Sequence, residues 1–194
     1  MSSLIHPRLH SLFQYWQTIK TNRHMPAKVD LDLHRIPAHL PCVFLIEWDP
    51  VKAEFFWRLT GTALYTLFGR ELNAKPVLDL WQTDQHEDLS STLHRVRTAF
   101  QPFCIRQRGF SAISHELGLE MLTLPLLDTD STNVLIFGGL VPFQTPIWLD
   151  CDPLNVLVNW QTVALDGRSN DQKQRLEMPP TASPKFHNYE HKSH

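Results

Sequence analysis

Apolar residues at Leu9, Leu12, Phe13, Trp16 and Ile19 recur at the three- and four-residue spacing of one helical face, so residues 8–21 read as an amphipathic helix that needs a surface to lie on. The polar stretch 22–32, interrupted by Pro26, reads as a connecting loop, and residues 33–40 as a short helical turn that Pro41 stops. Residues 42–48 are a continuous apolar, β-branched and aromatic run, the pattern of a buried strand. Asp49-Pro50-Val51-Lys52 supplies turn chemistry. A second strand follows over 54–60, where Phe55, Trp57 and Leu59 alternate with Phe56, Arg58 and Thr60, and it is expected to lie antiparallel to the first.

Leu64, Leu67 and Phe68 give residues 61–68 helical spacing, and Gly69 stands where a left-handed C-terminal cap belongs. After a turn around 77–81, Asp84 reads as an N-cap with Glu87 three residues on, opening a helix whose stripe is Leu89, Leu93, Val96 and Phe100. Residues 103–108, 120–127 and 133–141 then read as strands, the last two joined by a hairpin loop over 128–132. Pro125 must sit at an edge, an end or a bulge, because it cannot donate to a ladder. This order, with helices between two groups of strands, predicts an α+β domain with an antiparallel sheet.

Composition narrows the picture. A chain of 194 residues with 42% hydrophobic content suits one core. The net charge of −2 and the scattered basic residues give no footprint for nucleic acid or an anionic membrane. Without an N-terminal apolar region or a long apolar run, the chain is expected to be cytoplasmic. Three isolated cysteines, Cys42, Cys104 and Cys151, fit a reducing compartment. Past 142 the pattern weakens, although Leu154, Val156, Leu157, Val158 and Trp160 could dock a short segment. From 166 the chain is too polar to bury much surface and is expected to be a disordered tail. The expected division is therefore an N-terminal helix and loop (1–32), the main domain (33–145), a docking segment (146–165) and the tail (166–194).

One set of motifs carries a resemblance. Tyr15-Trp16, Met25-Pro26, Ile36-Pro37, Leu40-Pro41, Arg58-Leu59-Thr60-Gly61-Thr62 and Phe68-Gly69-Arg70-Glu71-Leu72 follow one another with spacings similar to those of a single-domain PAS-like family common in alphaproteobacteria. The segment Glu120-Met121-Leu122-Thr123-Leu124-Pro125-Leu126, with Val134-Leu135-Ile136-Phe137-Gly138-Gly139, resembles that family's closing hairpin, so the likeness spans about 11–143. It implies a PAS-like antiparallel five-stranded sheet with helices on one face plus the N-terminal amphipathic helix. It also implies a module that senses or binds rather than catalyses. The chain departs from the family at Ala74, where relatives usually carry glycine, and at Leu33, where many carry proline.

Candidate chemistry is sparse. Phosphate-loop, dinucleotide, zinc-protease and nucleophile-elbow motifs are missing, which argues against an enzyme. Eleven histidines include His86 and His94 on the long helix and the tail set His187, His191 and His194, but none is expected to hold a metal or haem iron. No cofactor is identified. Cys42 and Cys104 fall in strands and read as buried apolar residues. Arg58 is a charge inside an aromatic strand; it either pairs with an acid such as Glu47 or Asp79, or fixes the polar end of a small ligand between the sheet and the helix starting near Thr62. Trp57 and Phe103 complete the candidate ligand-contacting set, although with Phe55 and Phe56 they could equally fill a core. Phe13, Tyr15 and Trp16 are the candidate interface, docking the first helix on the sheet or on a second copy. The readings in competition are a stand-alone sensory or regulatory domain for a small molecule or signalling protein, expected to be a homodimer, and a ligand-free dimeric adaptor. An enzyme with an unrecognised site, drawing on Arg58, His115 and Glu120, is the third.

Overall fold

The computed structural model describes residues 4–129 and 133–167. All but the first two residues of the expected tail, its three histidines included, lie outside the described residues.

The first helix, α1 (Pro7–Lys20), buries Leu9, Leu12, Trp16 and Ile19, and the His6 ring accepts a bond from the Arg8 amide at its start. After a run of short 3-10 turns the chain enters β1 (Val43–Asp49), turns through an Asp49 carboxylate that accepts the Val51 and Lys52 amides at 2.9 and 3.2 Å, and returns as β2 (Glu54–Thr60). Helix α2 (Thr62–Phe68) ends at Gly69, whose φ of 61° lets its N–H reach the Tyr65 carbonyl at 2.7 Å. A Cβ at Gly69 would also lie only 2.5 Å from the Pro153 ring. Helix α3 (His86–Thr98) starts one residue later than the Asp84 cap predicts. A 3-10 turn over Thr83–Gln85 precedes it, and the Gln85 amide is committed to the Asn159 backbone rather than to a cap. Phe100 lies past the helix end with a φ of 54° and is not part of the buried stripe, which is Leu89, Leu93 and Val96.

Four more strands, β3 (Phe103–Ser111), β4 (Glu116–Leu127), β5 (Val134–Pro142) and β6 (Leu154–Ala164), complete one antiparallel sheet in the order β2-β1-β5-β4-β3-β6. The sheet therefore has six strands, not five. The sixth is the weakly patterned C-terminal segment, which pairs with β3 as an edge strand. Half-exposed edge positions tolerate the Asn155, Asn159 and Gln161 that blur its alternation. Pro125 sits on an interior strand, but beyond Thr123, where β3 stops pairing, so no ladder bond is lost on that side.

Both faces of the sheet are covered. Phe44, Ile46, Phe55, Trp57, Ile105 and Met121 meet Leu64, Leu67 and Phe68 of α2 and the α3 stripe in one core. Val43, Cys104, Leu122, Leu124 and Phe137 meet Leu9, Leu12 and Trp16 of α1 in the other. The outer edge of β2 is closed by hydrogen bonds between residues 55–57 and 74–77, which include Ala74 N–H to the Trp57 carbonyl at 2.7 Å. To make that bond Ala74 adopts φ of 60°, the left-handed region where glycine is unstrained; this is the position at which the family resemblance places a glycine.

Candidate functional site at the rim of the sheet

Strands β1 and β2 fall out of step once. Leu45 pairs with Leu59 and Ile46 with Trp57, which leaves Arg58 as the extra residue of a β-bulge. The bulge interrupts the aromatic alternation and sends the guanidinium along the α1 side of the sheet. There Nη1 donates to Glu47 Oε2 at 3.2 Å and to Asp128 Oδ2 at 2.9 Å. Glu47 is one of the two acids expected from sequence. Asp79 is not a partner; it lines a separate cleft with Arg70, Glu71 and Lys75. The second partner is Asp128, which sequence reasoning leaves in a hairpin loop. It is only 2% exposed, because β5 lies between β1 and β4 and brings the β4–β5 hairpin beside the β1–β2 end. Lys28 Nζ approaches Asp128 Oδ1 at 3.7 Å, so two cations offset the desolvation of this carboxylate.

Arg58, Glu47 and Asp128 line a cleft of about 220 Å³ where β1 ends and β5 begins. Trp48, Pro50, Val134 and Arg97, the last from the final turn of α3, line it as well. Trp48 is fixed edge-on to Phe55 and His94, with centroids 4.8 and 4.4 Å apart, and the Arg97 guanidinium stands 5.6 Å from its ring. Burial first, and the Arg97 charge second, hold the His94 imidazole below its ordinary pKa. His94 is thus a packed histidine.

The other candidate ligand contacts do not meet Arg58. Thr62 is exposed at the start of α2. Trp57 and Phe103 are buried in the core beneath α2 and α3, at 0% and 2% exposure, and neither lines the Arg58 cleft. That core nevertheless holds two buried polar atoms with no hydrogen-bond partner, the Trp57 indole N–H and the Gln107 amide oxygen. Each is an expense of about 1–3 kcal/mol left uncompensated within the chain. Gln107 carried no warning in the sequence beyond being a polar residue at an inward strand position.

The interface candidates are engaged within their own chain. Trp16 is 0% exposed and donates its indole N–H to the Pro125 carbonyl at 3.0 Å, so it is not presented to a second copy. Phe13 stacks on it at 6.0 Å, and the Tyr15 hydroxyl donates to the Asp32 carbonyl while accepting the Asp32 amide. Glu120, fully buried on β4, seats the start of α1 by accepting the Ile5 and His6 amides at 3.0 and 2.8 Å, with Arg106 Nε at 3.4 Å. Cys104 donates its thiol to the same carboxylate, and burial followed by that negative charge pushes the thiol pKa far up. Burial also raises Cys42. Neither is a reactive thiol. His115 Nδ1 and Asp152 Oδ2 lie 2.9 Å apart at the far end of the sheet, where the imidazole stacks on Trp148. Glu120 and His115 thus take up structural contacts. Among the described residues no cluster of histidine, cysteine and acidic side chains could hold a metal ion, and no helix is long and apolar enough to cross a membrane.

Comparison with known proteins places this architecture. No curated protein matches the chain. A crystal structure of the PAS domain of a protein from Colwellia psychrerythraea is similar at 14% identity and a TM-score of 0.41, over 57% of this chain and 96% of that one. The family model described as PAS domain matches residues 4–141, from the segment that Glu120 captures to the end of the fifth strand. The chain belongs to the PAS domain family.

Proposed function

We propose that this PAS-type sensory or regulatory domain binds a small molecule and passes its state to a signalling protein in the cytoplasm. The observation that carries this reading is the rim cleft. A bulge places Arg58 there against a buried aspartate, at the junction of the sheet with the C-terminal end of α3. A ligand in the cleft would touch β1, the β1–β2 turn, α3 and the start of β5 together, so its binding would be felt by both layers of the domain. Catalysis is not part of the proposal, because no nucleophile and base are aimed at one another in the cleft.

The second reading, a ligand-free dimeric adaptor, is favoured by the packing beneath α2 and α3. Phe44, Phe55 and Trp57 are essentially unexposed there, and Phe44 meets Trp57 edge-on at 5.3 Å. Native mass spectrometry with an absorbance spectrum, on protein purified from a bacterial host, separates the two. Mass beyond the polypeptide supports the sensor. A bare polypeptide running as a clean dimer supports the adaptor.

A further inference from the structure

Strand β6 is an edge of the sheet, and its outward backbone is used unevenly. The Leu165 N–H meets the Pro102 carbonyl, so by the alternation of an antiparallel ladder Val163 and Gln161 also face β3, while Thr162 and Ala164 turn their N–H and C=O groups outward. Before the bulge at Trp160 the outward groups are taken up: the Leu157 carbonyl accepts the Gln82 amide, and the Asn159 backbone exchanges bonds with the Gln85 side chain. Nothing among the described residues does the same for Thr162 and Ala164. Edge strands are commonly guarded by a charge or a proline. Trp160-Gln161-Thr162-Val163-Ala164 has neither, and its aromatic and β-branched residues favour pairing. Where the described chain ends, it leaves this edge for the other face: the Gly167 carbonyl accepts Lys20 Nζ of α1 at 2.5 Å.

The charges beside the edge are arranged by sign. A groove of about 200 Å³ lies between β6 and the start of α3, and the exposed Asp88 lines it with Gln161 and Thr162. Seven residues on, and so on the same side of α3, the exposed Arg95 guanidinium lies 4.8 Å from the ring of Phe103, which is the β3 partner of Ala164. Neither Asp88 nor Arg95 has an ion-pair partner among the described residues. The edge is therefore acidic beside 161–162 and basic beside 164, a pattern that complements itself when the strand is turned end for end.

We propose that two copies of this chain pair through β6, antiparallel about a two-fold axis at Val163. Thr162 of each copy then faces Ala164 of the other, each such pair exchanging two backbone hydrogen bonds, and the sheet continues across the interface. Asp88 of each copy is brought to the partner's Arg95. This surface is separate from the rim cleft, and the pairing does not depend on whether that cleft holds a ligand. A contact along so short a stretch buries less than a standard interface, so the dimer is expected to be reversible, with a Kd of roughly micromolar or weaker.

Sedimentation velocity on the full chain, from about 1 μM to about 500 μM, tests the pairing. A monomer–dimer equilibrium is expected, with amide exchange at Thr162 and Ala164 slowing as dimer forms. Thr162→Pro removes an outward N–H but no bond to β3, and should weaken the dimer by about tenfold or more in a chain that stays folded. Asp88→Arg and Arg95→Asp should each weaken it, and the two together should restore it; this charge exchange decides the matter if Thr162→Pro fails to fold. A chain that stays monomeric throughout, Thr162 and Ala164 amides already protected in the monomer by another part of the chain, or a dimer indifferent to both the proline and the charge exchange would overturn the proposal.

Discussion

On the α1 face of the sheet the polar groups at the centre are bonded: Glu120 holds the Ile5 and His6 amides, Arg106 and the Cys104 thiol, and the Trp16 indole N–H meets the Pro125 carbonyl, while His39 Nδ1, ahead of β1, is buried without a hydrogen bond. Beneath α2 and α3 the contacts are mainly aromatic and aliphatic: the Trp57 indole N–H and the Gln107 amide oxygen have no hydrogen-bond partner, while the Gln107 amide nitrogen donates to Met121 Sδ and the Trp81 indole to Asn159. Directional bonds fix where a helix sits and in which register, whereas apolar packing fixes volume and shape. The difference explains why α1, joined to the rest by a long loop, is nonetheless a fixed part of this domain.

Removing the carboxylate at the centre of the first face should have the largest effect. Glu120→Ala strands two backbone amides and Arg106, and is expected to cost about 3–5 kcal/mol in urea unfolding. Leu93→Ala in the opposite core should cost a comparable ~2–5 kcal/mol, but by leaving a cavity and without loosening α1. Trp16→Phe and Trp57→Phe form the sharper pair, since each keeps an aromatic ring and deletes an indole N–H. The first loses a bonded group and should destabilise by about 1–3 kcal/mol. The second deletes an unbonded one and should fall within about 1 kcal/mol of the parent chain. A Trp57→Phe loss as large as that of Trp16→Phe would erase the contrast. Ala74→Gly should raise stability by up to about 1 kcal/mol, since it relieves a left-handed alanine at the β2 edge, away from either core.

Acid should also act more on the α1 face. Burial is the first cause lowering the pKa of His6 and His39 below 6.5; His6 caps α1 and His39 bonds the Ser11 hydroxyl on it. His94, on the other side, is lowered for the same reason. A histidine with a lowered folded pKa takes up its proton more readily in the unfolded chain. Stability is therefore expected to be undiminished above pH 6.5 and to fall as pH drops below it. Melting temperatures between pH 8 and pH 5 check the direction, and His6→Gln with His39→Gln should flatten the slope more than His94→Gln.

Much of this architecture was legible because it rests on periodicity. The α1 stripe, the Gly69 cap, the β1–β2 turn and the closing hairpin all follow from local spacing and turn chemistry. The rim cleft was half legible. Arg58 stood out as a charge in an aromatic strand, and Glu47 is its near neighbour across the hairpin, but Asp128 and Arg97 arrive through strand order and helix placement, which no local pattern encodes. Trp57 could be nominated from composition, whereas its unbonded N–H is a property of the packed core. Trp16 was nominated as an anchor for its own sheet or for a second copy, because the two kinds of docked tryptophan look alike in sequence; the structure has it on the sheet. Its burial depends on the sheet face that residues more than a hundred positions later provide. The sixth strand escaped because an edge strand needs only half its residues to be apolar.

Amide hydrogen exchange on the full chain tests most directly whether α1 is closed onto its own sheet by the Glu120 contacts. The parent chain should protect α1 amides nearly as well as those of β4 and β5, and Glu120→Ala should release α1 while leaving α3 protected. Fast exchange along α1 in the parent chain, or equal loss of protection in α1 and α3 in the variant, would contradict the account.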